Sequence, residues 1–110
     1  MNEYTYNEEG IKHGPYKLYD DKNNCIEIGT FVKGLAQGTF LTFYSNGNKK
    51  SEGSKRLGYL DGMTIFYNEQ GQKEMEISYK MGQRHGITKY FDTENGSCYK
   101  VAKFKNNLAC

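Results

Sequence analysis

The chain has 110 residues, with 13 glycines, ten tyrosines, six phenylalanines, one proline, no tryptophan and a formal net charge of +2. A chain of this length normally forms one domain, and we expect residues 1–110 to do so. Glycine with aromatic residues favours short strands and tight turns over long helices, and the small net charge argues against a dedicated nucleic-acid or membrane-surface protein.

The first ten residues, MNEYTYNEEG, are polar and acidic and contain no apolar segment. They do not resemble a signal peptide, and no run of 18 apolar residues follows that could cross a bilayer. The cysteines, at positions 25, 98 and 110, have unrelated spacings, which favours reduced thiols over a disulfide framework. These features predict a cytoplasmic protein without a transmembrane segment.

From residue 10 onward the chain repeats every 24 residues. Two glycines four residues apart recur in GIKHG, GLAQG, GYLDG and GQRHG, and repetition at such a period is typical of arrays of one structural unit. The repeats are 10–33, 34–57, 58–81 and 82–105, with 1–9 and 106–110 as terminal caps. The recurring glycines are expected to form tight corners between units; they are Gly10, Gly14, Gly34, Gly38, Gly58, Gly62, Gly82 and Gly86.

Each unit has the pattern of a β-hairpin. A stretch rich in aromatic and β-branched residues, such as TFLTFY or MTIFY, is followed by a polar turn and a second strand. In the third unit Met75, Ile77 and Tyr79 alternate with polar residues, which is the period of two of a strand. The sequence predicts an all-β protein, a single-layer antiparallel ribbon or meander of about four tandem hairpins, with Asn106 in place of the last closing glycine.

Residues 10–106 resemble tandem MORN-variant repeats. The resemblance rests on IKHGPYKLY, FYSNGNKKSEG, FYNEQGQKEMEISYKMG and GQRHG. It implies an antiparallel β-ribbon that binds or scaffolds without catalysis. Bacterial members include antitoxin-like partner proteins, and other MORN proteins have been linked to phospholipids.

The sequence offers no arrangement typical of an active site or metal site. His13 and His85 occupy equivalent positions in two repeats where Gln37 and Asp61 stand in the others, which favours a polar residue supporting the corner. No Cys-x-x-Cys pair or phosphate-binding loop is present. We therefore expect no catalytic residue, metal or cofactor, and no enzymatic activity.

Two surfaces are candidates for binding. Four aromatic residues stand at the same position of successive repeats and are predicted to line the core: Tyr19, Phe43, Tyr67 and Phe91. A single-layer ribbon cannot hide both faces, so aromatic residues on the other face should be partly exposed as anchors for a protein partner. These partner-binding candidates are Tyr16, Phe40, Phe66 and Tyr90. Two alternatives stay open for the same rings: they stack on nucleic-acid bases, or they join the core because the ribbon curls.

The second candidate surface is the segment 48–57, which should be a central strand although only its last residue is apolar. It is either a solvated strand held by main-chain pairing or a basic contact patch. The patch would consist of Lys49, Lys50, Lys55 and Arg56.

These observations predict a non-enzymatic protein-binding module. Small size and the MORN-variant resemblance suggest a bacterial or phage cytosolic inhibitor, antitoxin-like or directed against a defence nuclease, that occludes its partner. The alternative is a polyanion binder that holds RNA or phosphoinositide headgroups on the basic strand, with affinity falling steeply as salt rises.

Overall fold

Within residues 2–109, the 24-residue units fold as antiparallel hairpins that join edge to edge in one open sheet of twelve strands. The computed structural model describes residues 2–109. The strands are β1 Glu3–Tyr6, β2 Lys12–Tyr19, β3 Cys25–Val32, β4 Leu35–Ala36, β5 Gly38–Phe43, β6 Lys49–Arg56, β7 Tyr59–Leu60, β8 Gly62–Tyr67, β9 Lys73–Lys80, β10 Gln83–Phe91, β11 Cys98–Lys105 and β12 Leu108–Ala109. The all-β prediction is confirmed.

The sheet follows chain order, β1-β2-β3-β5-β6-β8-β9-β10-β11-β12, with β4 paired to β3 and β7 paired to β6. The long strands match the predicted hairpins. The short strands β4, β7 and β12 were not expected, because the corners between units are themselves small hairpins that add their own strand pairs.

Each corner that joins two units reverses the chain through two residues with positive φ. Lys33 and Gly34 have φ of 51° and 88°, and Leu57 and Gly58 have 51° and 87°. Positive φ at both central residues is the pattern of a type I′ hairpin turn, whose twist matches that of the strands it joins. All eight glycines of the predicted corners have positive φ, a backbone conformation that favours glycine.

The hairpin turn of the fourth unit is one residue longer than the others. The Gly71 amide donates to the Asn68 carbonyl, three residues back, whereas the Gly96 amide donates to the Asp92 carbonyl, four residues back. The extra residue shifts everything that follows it. Asn107, whose amide donates to the Arg84 carbonyl, therefore takes the position of the closing glycine, and the prediction of Asn106 there is wrong.

The core is a row of residues across the middle of one sheet face. Its directly opposed pairs are Tyr16 with Gly29, Phe40 with Gly53, Thr64 with Ile77, and Thr88 with Ala102. Thr64 and Thr88 are each only 1% exposed. We name this side of the sheet the core face.

The prediction of which aromatic residues line the core is wrong. Tyr19, Phe43, Tyr67 and Phe91 lie on the face opposite to the core face and are only half-buried. The rings on the core face are better covered because Tyr16 and Phe40 each lie over a glycine. A Cβ added at Gly29 would lie 2.6 Å from the Tyr16 ring, and one at Gly53 would lie 3.2 Å from the Phe40 ring.

No helix within residues 2–109 has the length and apolar character needed to cross a membrane.

Candidate partner-binding surface

Two of the four predicted aromatic anchors are buried. Tyr16 is 4% exposed and Phe40 is 6% exposed, so the expectation that they are accessible to a partner is wrong. The Tyr16 hydroxyl donates to Glu27 at 2.5 Å, and burial together with that carboxylate raises the pKa of Tyr16. Lys55 completes the cluster, with its Nζ 3.6 Å from Glu27 and 4.9 Å from the centre of the Phe40 ring. These residues hold the first two units together.

The other two predicted anchors, Phe66 and Tyr90, are half-buried on the core face. Both lie directly opposite Met75 on the strand between them, so the three side chains form a continuous apolar group across β8, β9 and β10. The Lys100 ammonium lies 5.1 Å from the centre of the Tyr90 ring. Parts of these rings therefore remain available for contact.

The basic residues of β6 do not form one patch. Lys49 is paired with Glu52 at 3.2 Å, and Lys55 is paired with Glu27. Lys50 and Arg56 are exposed, but they lie towards opposite ends of the strand. Six residue steps of extended chain separate Lys50 from Arg56, about 20 Å at the usual strand rise.

The polar strand β6 is bound to its neighbours through side chains as well as the main chain. Glu52 accepts hydrogen bonds from the Tyr67 hydroxyl and from Lys49. The bond from Tyr67, reinforced by Lys49, lowers the pKa of Glu52. Burial and the Glu52 carboxylate raise the pKa of Tyr67 to about 12. Ser51 is buried and shares a hydrogen bond with Thr42, so the segment has a structural role that its composition did not reveal.

The variable polar position of the corner motif binds the next corner along the chain. The Lys33 amide donates to His13 Nδ1 at 3.1 Å, and the Leu57 amide donates to Gln37 Oε1 at 2.8 Å. The Asp61 carboxylate accepts in the same way from the Met81 amide of the fourth corner, at 3.3 Å. At these three positions the polar side chain supports the corner as predicted. The fourth position differs, because the Nδ1 atom of His85 is buried without a hydrogen-bond partner within residues 2–109.

The same corners expose apolar side chains along one long edge of the sheet. Those side chains are between 40% and 55% exposed; they are Ile11, Leu35, Leu57, Tyr59 and Met81, which we name the corner row.

The corner row is continuous because each corner packs on the next. A Cβ added to the first glycine of a corner would lie 3.2–3.9 Å from an apolar side chain of the preceding corner; the pairs are Gly34 with Ile11, Gly58 with Leu35, and Gly82 with Tyr59. In the sequence, the corner row occupies the positions directly before and directly after the first glycine of a corner: Leu57 and Met81 precede that glycine, and Ile11, Leu35 and Tyr59 follow it. An apolar surface was not predicted at these positions, because side chains in tight turns are expected to be polar.

Residues 2–109 hold no group of three or more histidine, cysteine, aspartate or glutamate residues placed to bind a metal ion.

The first two units form an open groove of about 420 Å³, whose lining includes Pro15, Ile28 and Leu41 and the charged residues Glu3 and Lys17. Such a groove can accept an apolar side chain of a partner.

A scan against protein-family models finds no match, and a search of curated proteins finds none either. Among solved structures, the chain is similar to a point mutant of S. aureus TarM, in complex with Fondaparinux, alpha-GlcNAc-glycerol and UDP. The TM-score is 0.58 at 17% sequence identity, and the match covers 98% of this chain but only 22% of the TarM chain. At this identity the likeness concerns the fold alone.

Proposed function

We propose that this chain is a non-enzymatic protein-binding module that acts by covering a surface of its partner. The corner row carries the proposal. Soluble monomers rarely expose a large contiguous apolar surface without a function, and isolated exposed apolar residues would need no explanation. Here five such residues recur at two positions of the repeat, and Ile11, Leu35 and Tyr59 each lie next to the first glycine of the following corner.

The corner row suits a stable protein contact. Leu57 and Tyr59 lie towards its centre, on the third corner, and Met81 lies at its end, on the fourth. A tyrosine among aliphatic side chains is a common anchor of interfaces. The turns below them have a fixed backbone, so little conformational entropy is lost when a partner covers them. Phe66 and Tyr90, on the core face, offer a secondary contact.

The biological role within this proposal is inhibition by occlusion, in the manner of an antitoxin or a protein directed against a defence nuclease. The MORN-variant resemblance and the small size of the module support it. A stiff ribbon about 48 Å long can cover a substrate-binding surface without any chemistry of its own.

The alternative, polyanion binding through β6, is less well supported by the geometry. Two of its four cations are paired with carboxylates, and the others are far apart on the strand. It predicts a complex that nuclease destroys or that salt weakens steeply.

The test is capture of partners from lysate by the tagged chain, with and without nuclease, using variants that keep the fold. Leu57→Asn combined with Met81→Asn removes two apolar side chains from the corner row. Asparagine tolerates positive φ, and Asn106 already occupies the equivalent position of the last corner. Lys33→Asn, at the same turn position, is the matched control because it removes no apolar side chain.

We expect one stoichiometric protein that survives nuclease, is lost with Leu57→Asn/Met81→Asn and is retained by Lys33→Asn. Equal recovery by all three chains would contradict the corner row as the contact. Recovery only without nuclease would favour the polyanion alternative.

A further inference from the structure

The last long strand, β11, has an open outer edge. Its inner edge pairs with β10 along its length, but β12 pairs only with Phe104 and Lys105. Within residues 2–109 no strand lies beside residues 98–103 on that side. Val101 is 58% exposed, whereas its counterparts in the first two units, Ile28 and Glu52, are half-buried under a following strand.

The interior units show which main-chain groups face the open edge. The Thr30 carbonyl accepts from the Gln37 amide, and the Ser54 carbonyl accepts from the Asp61 amide, so these positions point towards the following strand. Their counterpart in β11 is Lys103, allowing for the extra residue in the fourth hairpin turn. Val101, two residues away, has its main-chain groups on the same side. The edge is therefore ready to accept an antiparallel strand.

The side chains of this edge select the strand it accepts. Residues 98–109 contain three lysines, Lys100, Lys103 and Lys105, and no acidic residue. A second β11 paired against the first would bring lysines together, and edge lysines are a common means of preventing such self-association. A strand bearing carboxylates meets no such repulsion and gains from cross-strand attraction.

We propose that the outer edge of β11 accepts an acidic, extended segment of another protein as an added antiparallel strand. Main-chain hydrogen bonds at Val101 and Lys103 hold the segment, and its carboxylates align with the lysines. An apolar residue of the segment covers Val101, as Leu41 and Ile65 lie opposite its counterparts in the interior of the sheet. This edge is distinct from the corner row, so the inference goes beyond the proposed function and does not depend on it.

The experiment is a titration of the isotope-labelled chain, followed by the amide resonances, with a synthetic peptide that contains Glu-Thr-Val-Glu. In antiparallel pairing its valine lies opposite Val101, and its two glutamates lie opposite Lys103 and Lys100. The same peptide with lysine in place of both glutamates is the matched ligand. Lys100→Glu/Lys103→Glu reverses the charge of the edge. Lys50→Glu/Lys80→Glu makes the same change in net charge at exposed lysines elsewhere and serves as the control.

We expect the glutamate peptide to shift the resonances of residues 98–103 and to bind roughly tenfold or more tightly than the lysine peptide. Lys100→Glu/Lys103→Glu should reverse that preference, and Lys50→Glu/Lys80→Glu should keep it.

Shifts elsewhere on the sheet, no binding, or a preference that Lys100→Glu/Lys103→Glu leaves unchanged would overturn the proposal. So would self-association in sedimentation that Val101→Pro abolishes. Proline removes the outward amide of an edge strand and leaves its inner pairing in place, so that result would assign the edge to a second copy of the chain.

Discussion

At the residue scale, Gly29 and Gly53 determine how the core face packs. Neither has a positive φ, so the backbone does not require glycine there. Glycine is required there by lack of space, because Tyr16 and Phe40 lie across these positions. The Thr64 hydroxyl would also be 2.6 Å from a Cβ on Gly53. Rings that cover opposed glycines lose water on both sides, which explains burial in a sheet with no second layer.

We expect Gly29→Ala to lower the free energy of unfolding by about 1–3 kcal/mol, because the Tyr16 ring must move to admit a methyl group. Urea denaturation measures the change. Gly71→Asn is the control, since a Cβ there meets nothing within 4 Å and asparagine tolerates its positive φ. A Gly29→Ala protein as stable as the native one would contradict this packing.

His13→Gln should preserve stability, because glutamine already accepts the corresponding amide bond at position 37. His13→Ala leaves the Lys33 amide without that acceptor and should cost about 0.5–1.5 kcal/mol. Thermal unfolding of the two variants under one condition is the measurement. Equal losses in both would show that the imidazole matters for something other than accepting this bond.

Glu52 should make the fold sensitive to acid. Its pKa is lower in the folded chain than the ordinary value of 4.5, chiefly because of the Tyr67 hydroxyl. Its contribution to stability is therefore present above that value and is lost as pH falls through the folded pKa.

Urea midpoints measured from pH 6 down to pH 3 should fall less for Glu52→Gln than for the native chain. A residual decline should remain, because hydrogen bonds from the turn also lower the pKa of Asp20. Identical pH profiles for the two proteins would contradict the assignment to Glu52.

At the element scale, the corner turns carry residues that are poorly suited to their backbone. Leu57 and Met81 have φ of 51° and 50°, which is unfavourable for side chains other than glycine, asparagine and aspartate. Leu57→Asn should therefore raise the free energy of unfolding by about 0.5–1 kcal/mol. Chemical denaturation tests this, and a destabilised variant would mean that Leu57 packs more than its exposure indicates.

The sequence predicted the hairpins and corners because glycine spacing reports backbone geometry directly. It did not predict which face is buried. Aromatic residues occur on both faces of the sheet, and the deciding feature was the pairing of Tyr16 and Phe40 with glycines on the opposite strand. The position of Asn107 was missed for a related reason, since one added turn residue changes every later register without disturbing the local pattern.

The candidate site was predicted only in part. Phe66 and Tyr90 are partly accessible, but β6 does not present its cations together, because Glu27 and Glu52 come from sequence positions that gave no indication of these pairs. The corner row lay beside the glycines that revealed the repeat. Its significance depends on corner stacking, which only the three-dimensional arrangement shows.

At the scale of the whole molecule, each unit contacts its neighbours along the sheet, so stability should vary with position in the array. We expect the amides of β5, β6, β8 and β9 to exchange with solvent more slowly than those of β1 and β11, which lie towards the two ends of the sheet. Native-state hydrogen exchange measures the gradient. Uniform protection from end to end would indicate a single cooperative unit.

The central claim is that the corner row is a contact surface for a protein. The most direct measurement is the affinity of the captured partner for the native chain and for Leu57→Asn/Met81→Asn, each at low and high salt. We predict a loss of roughly tenfold or more in the variant and little change with salt, as expected when buried apolar anchors dominate binding. Equal affinities, or an affinity that falls steeply with salt for both chains, would contradict the claim.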